Sequence, residues 1–414
     1  MSFRIALSGL NAANTDLSIT ANNMANVNTT GFKLSRAEFG DVFPVSSLGL
    51  SRNATGAGVQ VSAVAQQFAQ GNIDFTDNSL DLAVSGTGFF TLSQNGIVSY
   101  SRAGAFGVDR EGFLVNNDGK RLQAFPPNPA GVGFDTGRLA DLQLSNADNP
   151  PNATSEVTVG TNLPANAAVP LTAPFDPLDP NTFNHTTSLT VFDSLGVSHV
   201  LSVYYIKTAN PNEWELEGII TDIDGSTTNV TSGGAITLQY DSGGFLTTPA
   251  PPSIATLDSY TPSTGAAGFA IDLDLSESTQ YGERFSVTRL VQDGFTTGRL
   301  SGLEVSPEGV VFSRFTNGQT QELGQIALAT FANPQGLQNI GNTSWGETFD
   351  SGQPLRGQAG SSAFGLIQSG ALEASNVDLT EQLVNMITAQ RNFQANAKMI
   401  TTSDQLTQSI INIR

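Results

Sequence analysis

Apolar residues near the carboxy terminus return every seven positions. Leu379, Met386, Phe393 and Ile400 form one row, and Leu383, Ala397 and Ile411 fall on a second row beside it. A heptad stripe predicts a long helix that buries one narrow seam against a partner helix. After Ile400 the seam moves by one residue to Met399, Leu406 and Ile413, a local phase slip. Residues 371–414 contain no Gly and no Pro, in a chain with 42 Gly and 19 Pro. Ser375 and Asp378 offer a capping-box-like start in the Ser-x-x-Asp form. At ~1.5 Å per residue such a helix would be roughly 55–65 Å long.

A matching stripe opens the chain. Phe3, Leu10, Leu17 and Met24 are again seven apart, with Ala6, Ala13, Thr20 and Val27 on the adjacent row. No Gly or Pro interrupts 10–30, and Gly31 reads as a carboxy-terminal stop. Elsewhere this segment is polar and rich in Asn, a poor helix former, so alone in water it should be marginal. Periodicity leaves two arrangements open. The ends clasp each other within one monomer, or they order only when many copies pack together.

Residues 31–71 read as a polar connector. From Asn72 to Asn146 the period changes to two, with short strands at Phe89-Phe-Thr-Leu, Gly96-Ile-Val-Ser-Tyr and Gly112-Phe-Leu-Val-Asn. Asn95-Gly96, Glu111-Gly112 and Asp118-Gly119 supply the positive φ that tight hairpins need. The same character returns in 283–370, at Val305–Phe312, Asn317-Gly318 and Leu323–Phe331. These two segments predict one domain built from both halves of the chain. Between them, 147–282 reads as an inserted all-β domain entered through Asp148-Asn-Pro-Pro-Asn152. A hairpin within Ser188–Tyr205 closes at Asp193-Ser-Leu-Gly196. The fold class is multidomain α+β: terminal helices (1–30 and 371–414) in a coiled-coil-like domain, plus two nested, mostly-β domains.

Composition narrows the chemistry. The chain has 414 residues, a net charge of −19 and 18 Lys+Arg with no basic cluster, which argues against nucleic-acid binding. Apolar runs are too short to cross a membrane. The start lacks a basic region followed by an apolar block, so no cleaved Sec signal is expected. Absence of Cys removes disulfides and thiolate metal sites. His185 and His199 make a poor metal or triad constellation and read as ordinary strand residues. Asp222-Ile-Asp-Gly225 reads as a turn, and Asp272-Leu-Asp-Leu-Ser-Glu277 as strand with acidic solvent positions. No run matches a phosphate loop. No catalytic residue, metal or cofactor is expected.

Three runs carry more specific information. Asn22-Asn-Met-Ala-Asn-Val-Asn-Thr-Thr-Gly-Phe-Lys33 lies at one end. Ser369-Gly-Ala-Leu-Glu-Ala-Ser-Asn-Val-Asp-Leu379 and Met386-Ile-Thr-Ala-Gln-Arg-Asn-Phe-Gln-Ala-Asn-Ala397 lie at the other. With these the chain resembles the axial proteins of the bacterial flagellum, and among them the flagellar hook proteins. Gly88-Phe-Phe, Tyr100-Ser-Arg-Ala-Gly-Ala-Phe106 and Gly112-Phe-Leu-Val115 extend the likeness to the β domain shared by rod and hook proteins.

The resemblance implies a structural, non-enzymatic subunit that polymerises through its terminal helices into a hollow tube, the flexible universal joint between motor rod and filament. Phe3, Leu10, Leu17, Met24, Leu379, Leu383, Met386, Phe393, Ile400, Leu406 and Ile413 would form the polymerisation seam. Implied partners are further copies of itself, the distal rod, the hook cap, the hook–filament junction protein and the flagellar type III export apparatus. Phe39-Gly-Asp-Val-Phe43 fits the Phe-x-x-x-hydrophobe pattern shown to the export gate, and equally two Phe anchoring a loop. Two alternatives stay open: a rod or junction protein of the same family, and a secreted β-rich adhesin. The second leaves both heptad termini unexplained.

Overall fold

The computed structural model describes residues 2–43, 56–129, 131, 133–144, 147–361 and 363–412. The chain divides into two compact units. Unit 1 comprises 1–146, 302–314 and 320–414, and unit 2 comprises 147–301 and 315–319.

Unit 1 begins with helix α1, Ser2–Ala25, and ends with helix α2, Leu379–Asn412. Helix α1 stops before Gly31. The Asn26 side-chain amide donates to the Asn22 carbonyl at 2.9 Å beside its own backbone amide, and the turn then tightens to i→i−3 bonds, Val27 to Met24 and Thr29 to Asn26. Helix α2 starts later than 371. Ala371–Glu373 is a strand hydrogen-bonded to Ile73–Phe75, and the following polar groups are engaged with the connector rather than with each other. Asp378 alone is the cap, its carboxylate accepting the amides of Thr380 (2.7 Å) and Glu381 (3.0 Å). Ser375 only accepts from Val377, so the capping box does not form. The connector holds two strands, although it reads as a polar stretch. These are β1, Ser35–Val42, and β2, Gly58–Gln66, paired antiparallel from Ser35↔Gln66 to Val42↔Gly58.

The β part of unit 1 interleaves both halves of the sequence. Strand Thr320–Thr330 bonds to Arg121–Phe125 and, through Leu328↔Phe90 and Ala329↔Phe89, to Phe89–Gln94. Leu82–Ser85 pairs with Leu366–Ser369. Leu82, Phe90, Leu92, Leu122, Val311, Ile326 and Leu328 meet in one buried core. A second, aromatic cluster of Phe89, Tyr100, Phe331 and Trp345 receives Phe68 from the connector's end. The expected turn at Asn95-Gly96 forms, with φ of 52° and 83°.

Unit 2 is all β. Ile254–Thr256, Asp272–Asp274, Glu156–Pro164, Thr279–Tyr281 and Ser286–Gln292 form one sheet; a second is built on His185–Phe192, Ser198–Lys207, Glu213–Thr221, Ile236–Tyr240 and Leu246–Thr248. Val157, Val159 and Leu273 from the first meet Val203, Trp214 and Leu238 from the second in a single core. The unit runs past 282 because Ser286–Gln292 is hydrogen-bonded to Glu156–Pro164. Its two chain ends form a stem through the backbone bridges Asn149↔Gly298 and Asn152↔Phe295.

The two histidines are less ordinary than expected. His185 stacks on Phe285 with centroids 4.5 Å apart. His199 is buried, its Nε2 3.2 Å from Asp193 Oδ2 and its Nδ1 3.0 Å from Asp222 Oδ1. It therefore holds together the turns after Phe192 and Thr221. Among the described residues no group of His, Cys, Asp or Glu is placed to hold a metal ion.

Candidate assembly site: the helix pair and its junction

Helices α1 and α2 pack against each other within the chain. Gly9 lies against Asn396, and the Asn23 amide donates to Gln382 Oε1 at 3.3 Å, so the pair is antiparallel. The covered positions on α2 are Gln382, Met386, Ala389, Phe393, Asn396, Ile400 and Ser403. Spacings alternate four and three, as in a coiled-coil seam. On α1 the covered positions are Ala6, Gly9, Ala13, Asp16, Thr20 and Asn23. Burial beside α2 pushes the Asp16 carboxyl up from its ordinary value.

This seam is phased differently from the one periodicity suggests. Met386, Phe393 and Ile400 do face inward. Their companion row is Gln382, Ala389, Asn396 and Ser403; Leu383 is exposed, while Ala397 is partly covered beside Asn396. Leu10, Leu17 and Met24 are half-buried beside the contact, and Phe3 is 49% exposed. Leu379, Leu383 and Leu406 are also exposed, at 46%, 44% and 61%, as are Val384, Ile387, Met399 and Ile411. Ile413 lies outside the described residues. Met386, Phe393 and Ile400 thus share the intrachain contact with small and polar side chains, while a further set of large apolar side chains stays exposed on the other faces of α2.

Where the helices meet the β core, the chain builds a polar junction. Glu373 is buried and binds two cations. Its Oε1 is 2.6 Å from Lys33 Nζ, and its Oε2 is 3.1 Å from Arg102 Nη1. Lys33 also donates to the Ala69 carbonyl at 2.7 Å, Arg102 to Gly86 at 2.8 Å, and the Gly71 amide to Glu373 Oε1 at 3.0 Å. Burial pushes the Lys33 ammonium below its ordinary value; Glu373 opposes this and Arg102 adds to it. Asn376 accepts from the Leu34 amide at 2.7 Å and donates to the Gln67 carbonyl at 2.8 Å. Asn23 exchanges two hydrogen bonds with the Ser35 backbone and touches Gln382. One network thus fixes the end of α1, both ends of the β1–β2 hairpin and the start of α2.

Sequence reasoning did not single out Lys33, Arg102 or Glu373. Lys33 and Glu373 nevertheless lie in two of the quoted terminal runs and Arg102 in the quoted Tyr100–Phe106 run, and that opposite-sign coincidence was the available signal. Phe39 stands on β1 and Phe43 just after it, both 43% exposed. Neither anchors the hairpin to a core. Helix α1 instead holds β2 by polar contact, the Val59 amide donating to Ser8 Oγ at 3.2 Å.

Known proteins share this organisation. Residues 3–33 match the flagella basal body rod protein family, and 368–413 the flagellar basal body rod FlgEFG protein C-terminal family. Residues 83–162 match the flagellar hook protein FlgE/F/G D1 domain, and 162–295 the flagellar basal body protein FlaE D2 domain. Along its whole length the chain is 38% identical to the flagellar hook protein FlgE of Escherichia coli, over 100% of both chains. The chain belongs to the flagellar hook protein FlgE family. It is a structural subunit of the bacterial flagellar hook. Another hook protein FlgE, from Rhizobium meliloti, is 34% identical over 99% of this chain and 98% of its own. The crystal structure of Helicobacter pylori flagellar hook protein FlgE2 shares the fold. It has a TM-score of 0.55 at 15% identity, covering 73% of this hook subunit and 100% of that chain.

Proposed function

We propose that this hook subunit is a non-catalytic building block. It polymerises through the large apolar residues of its terminal helices into a flexible tube. The observation that carries the reading is the division of labour on the helix pair. One row of α2, with Met386, Phe393 and Ile400 among small and polar residues, meets α1 inside the chain, which leaves Phe3, Leu379, Leu383 and Leu406 exposed. A water-exposed apolar row on a long helix gains by burial against other copies, roughly 1.5–3 kcal/mol for each fully buried side chain. The seam would include Leu10, Leu17, Met24, Met386, Phe393, Ile400 and Ile413.

In this reading the organisation is nested. Terminal helices (1–30 and 371–414) are the polymerisation element, 31–71 a connector, 72–146 and 283–370 an inner β domain, and 147–282 with the strands that complete it an outer β domain. The tube would join the distal rod to the hook–filament junction protein, growing under a hook cap. Phe39 and Phe43, exposed at the hairpin, suit presentation to the type III export gate.

Electron microscopy of hooks from cells carrying Leu383→Asp tests the assembly reading. Secreted, folded subunits with no hooks are expected. Normal hooks from that variant would reject the seam.

A further inference from the structure

The buried junction has an unequal charge count: Lys33 and Arg102 share one carboxylate, Glu373, and all three are shielded from water. Carrying one ion into an interior costs several kcal/mol, and removing the sole counter-charge from such a group strands the others. The three charges also come from widely separated parts of the chain, Glu373 lying 340 positions after Lys33 and 271 after Arg102. The loop after α1 is held largely by polar bonds, and the connector's end adds to its polar bonds the packing of Phe68 on Phe89 and Trp345. The loop 26–34 is fixed by Gly31 donating to the Glu373 carbonyl and by Leu34 donating to Asn376. The connector's end is fixed through the Ala69 carbonyl and the Gly71 amide.

We propose that Lys33, Arg102 and Glu373 form a closure latch. The amino-terminal loop and the connector's end become ordered only when the carboxy-terminal segment brings its carboxylate to two cations that cannot be buried without it. The surplus cation gives the latch its sharpness. Without Glu373 two like charges face each other in a dry site, so the open arrangement wins. With Glu373 the closed arrangement gains two charge-assisted hydrogen bonds, against the burial of Arg102 Nε without a partner. In any amino-terminus-first passage of the chain, the leading segment therefore stays open until residue 373 has followed.

Segment-resolved hydrogen–deuterium exchange on the full-length monomer tests this, with three variants. For Glu373→Gln, amides at Gly31, Leu34 and Gly71 should lose at least about tenfold in protection, while Val203 and Leu216 of unit 2 keep theirs. Lys33→Met leaves a one-to-one Arg102–Glu373 pair, and the Ala69 carbonyl keeps its bond from Asn376. That variant should hold protection at Gly31 and Leu34 within about threefold. Lys33→Met combined with Glu373→Gln should recover part of the loss seen with Glu373→Gln alone. The latch is overturned if Glu373→Gln keeps its protection, if Lys33→Met loses as much as Glu373→Gln, if the double variant recovers nothing, or if the loss spreads equally to unit 2.

Discussion

Gly9 and Asn396 touch across the helix pair so closely that a Cβ at position 9 would stand 2.7 Å from the Asn396 side-chain oxygen. That atom ends a flexible side chain on a partly exposed face, so a methyl group can be admitted by rotating it. Gly9→Ala should therefore be neutral or stabilising, since Ala gains up to about 1 kcal/mol of helix propensity over Gly. Gly9→Leu cannot be accommodated by one rotamer and should cost about 1–3 kcal/mol by prising the helices apart. Amide exchange along α1 in the monomer distinguishes the two.

Leu383 and Phe393 sit on different faces of α2, so charging them should have different consequences. Leu383→Asp changes an exposed position, and the monomer should melt within about 0.5 kcal/mol of the parent. Phe393→Asp places a charge in the contact with α1 and should loosen the helix pair by a few kcal/mol. Both should abolish hook assembly. Circular dichroism at 222 nm separates them before any assembly is attempted.

Unit 2 should be acid-sensitive. The Ser263 backbone amide, with the Ile223 amide, holds Asp222 well below the ordinary carboxylate value against its partial burial. Burial pushes Asp193 up, yet the Val197 amide, His199 and Thr264 outweigh it and leave Asp193 below 3.8. A carboxylate lowered in the folded state contributes stability that is present above 3.8 and lost as pH falls through its folded value. Asp222→Asn should remove most of this dependence. Trp214 fluorescence in a Trp345→Phe background reports unit 2 alone, because the chain has 2 Trp.

Lys33 predicts a dependence of the same sign in unit 1, in an alkaline window. A base whose folded value is lowered holds fewer protons than the unfolded chain between that value and 10.5. Its contribution to stability therefore rises with pH through that window. Lys33→Met should flatten the alkaline limb of the unit 1 melting profile.

The Tyr240 hydroxyl is buried in the unit 2 core without a hydrogen-bond partner, and burial pushes its titration up strongly. An unpaired buried hydroxyl gives nothing back for its desolvation. Tyr240→Phe should leave unit 2 as stable or raise it by up to about 1 kcal/mol. A loss beyond that in thermal melting would contradict the geometry.

The helices, the central hairpins and the two-part β core were legible because each rests on local periodicity or a turn residue. The Asp193–Gly196 hairpin is an example, closing as its sequence suggests between His185–Phe192 and Ser198–Lys207. The phase of the helix seam was not legible. Hydrophobic rows mark every apolar face, and on α2 the face that meets α1 mixes Met386, Phe393 and Ile400 with Gln382, Asn396 and Ser403, so apolar spacing alone does not single it out. Strand Ala371–Glu373 was hidden for a related reason. Ala-Leu-Glu is a good helix former, and only its partner Ile73–Phe75, nearly 300 positions away in sequence, makes it a strand. Strands β1 and β2 do carry short alternation, at Arg36-Ala37-Glu38-Phe39 and Val59-Gln60-Val61-Ser62-Ala63, which does not stand out in a stretch that reads as polar connector because both faces remain partly open to water.

The stem of unit 2 bears on how such chains can diverge. Asn149 and Gly298 exchange both backbone hydrogen bonds, as do Asn152 and Phe295. No side chain is required for either exchange, although position 298 favours Gly because a Cβ there would stand 2.5 Å from Asn317. Whatever lies between the two doorposts can lengthen, shorten or be rewritten turn by turn while the bonds that organise unit 1 stay as they are. Exposed turns such as the one at Gly225, where an added Cβ would meet nothing within 4 Å, are free to change length and side chain without disturbing the stem.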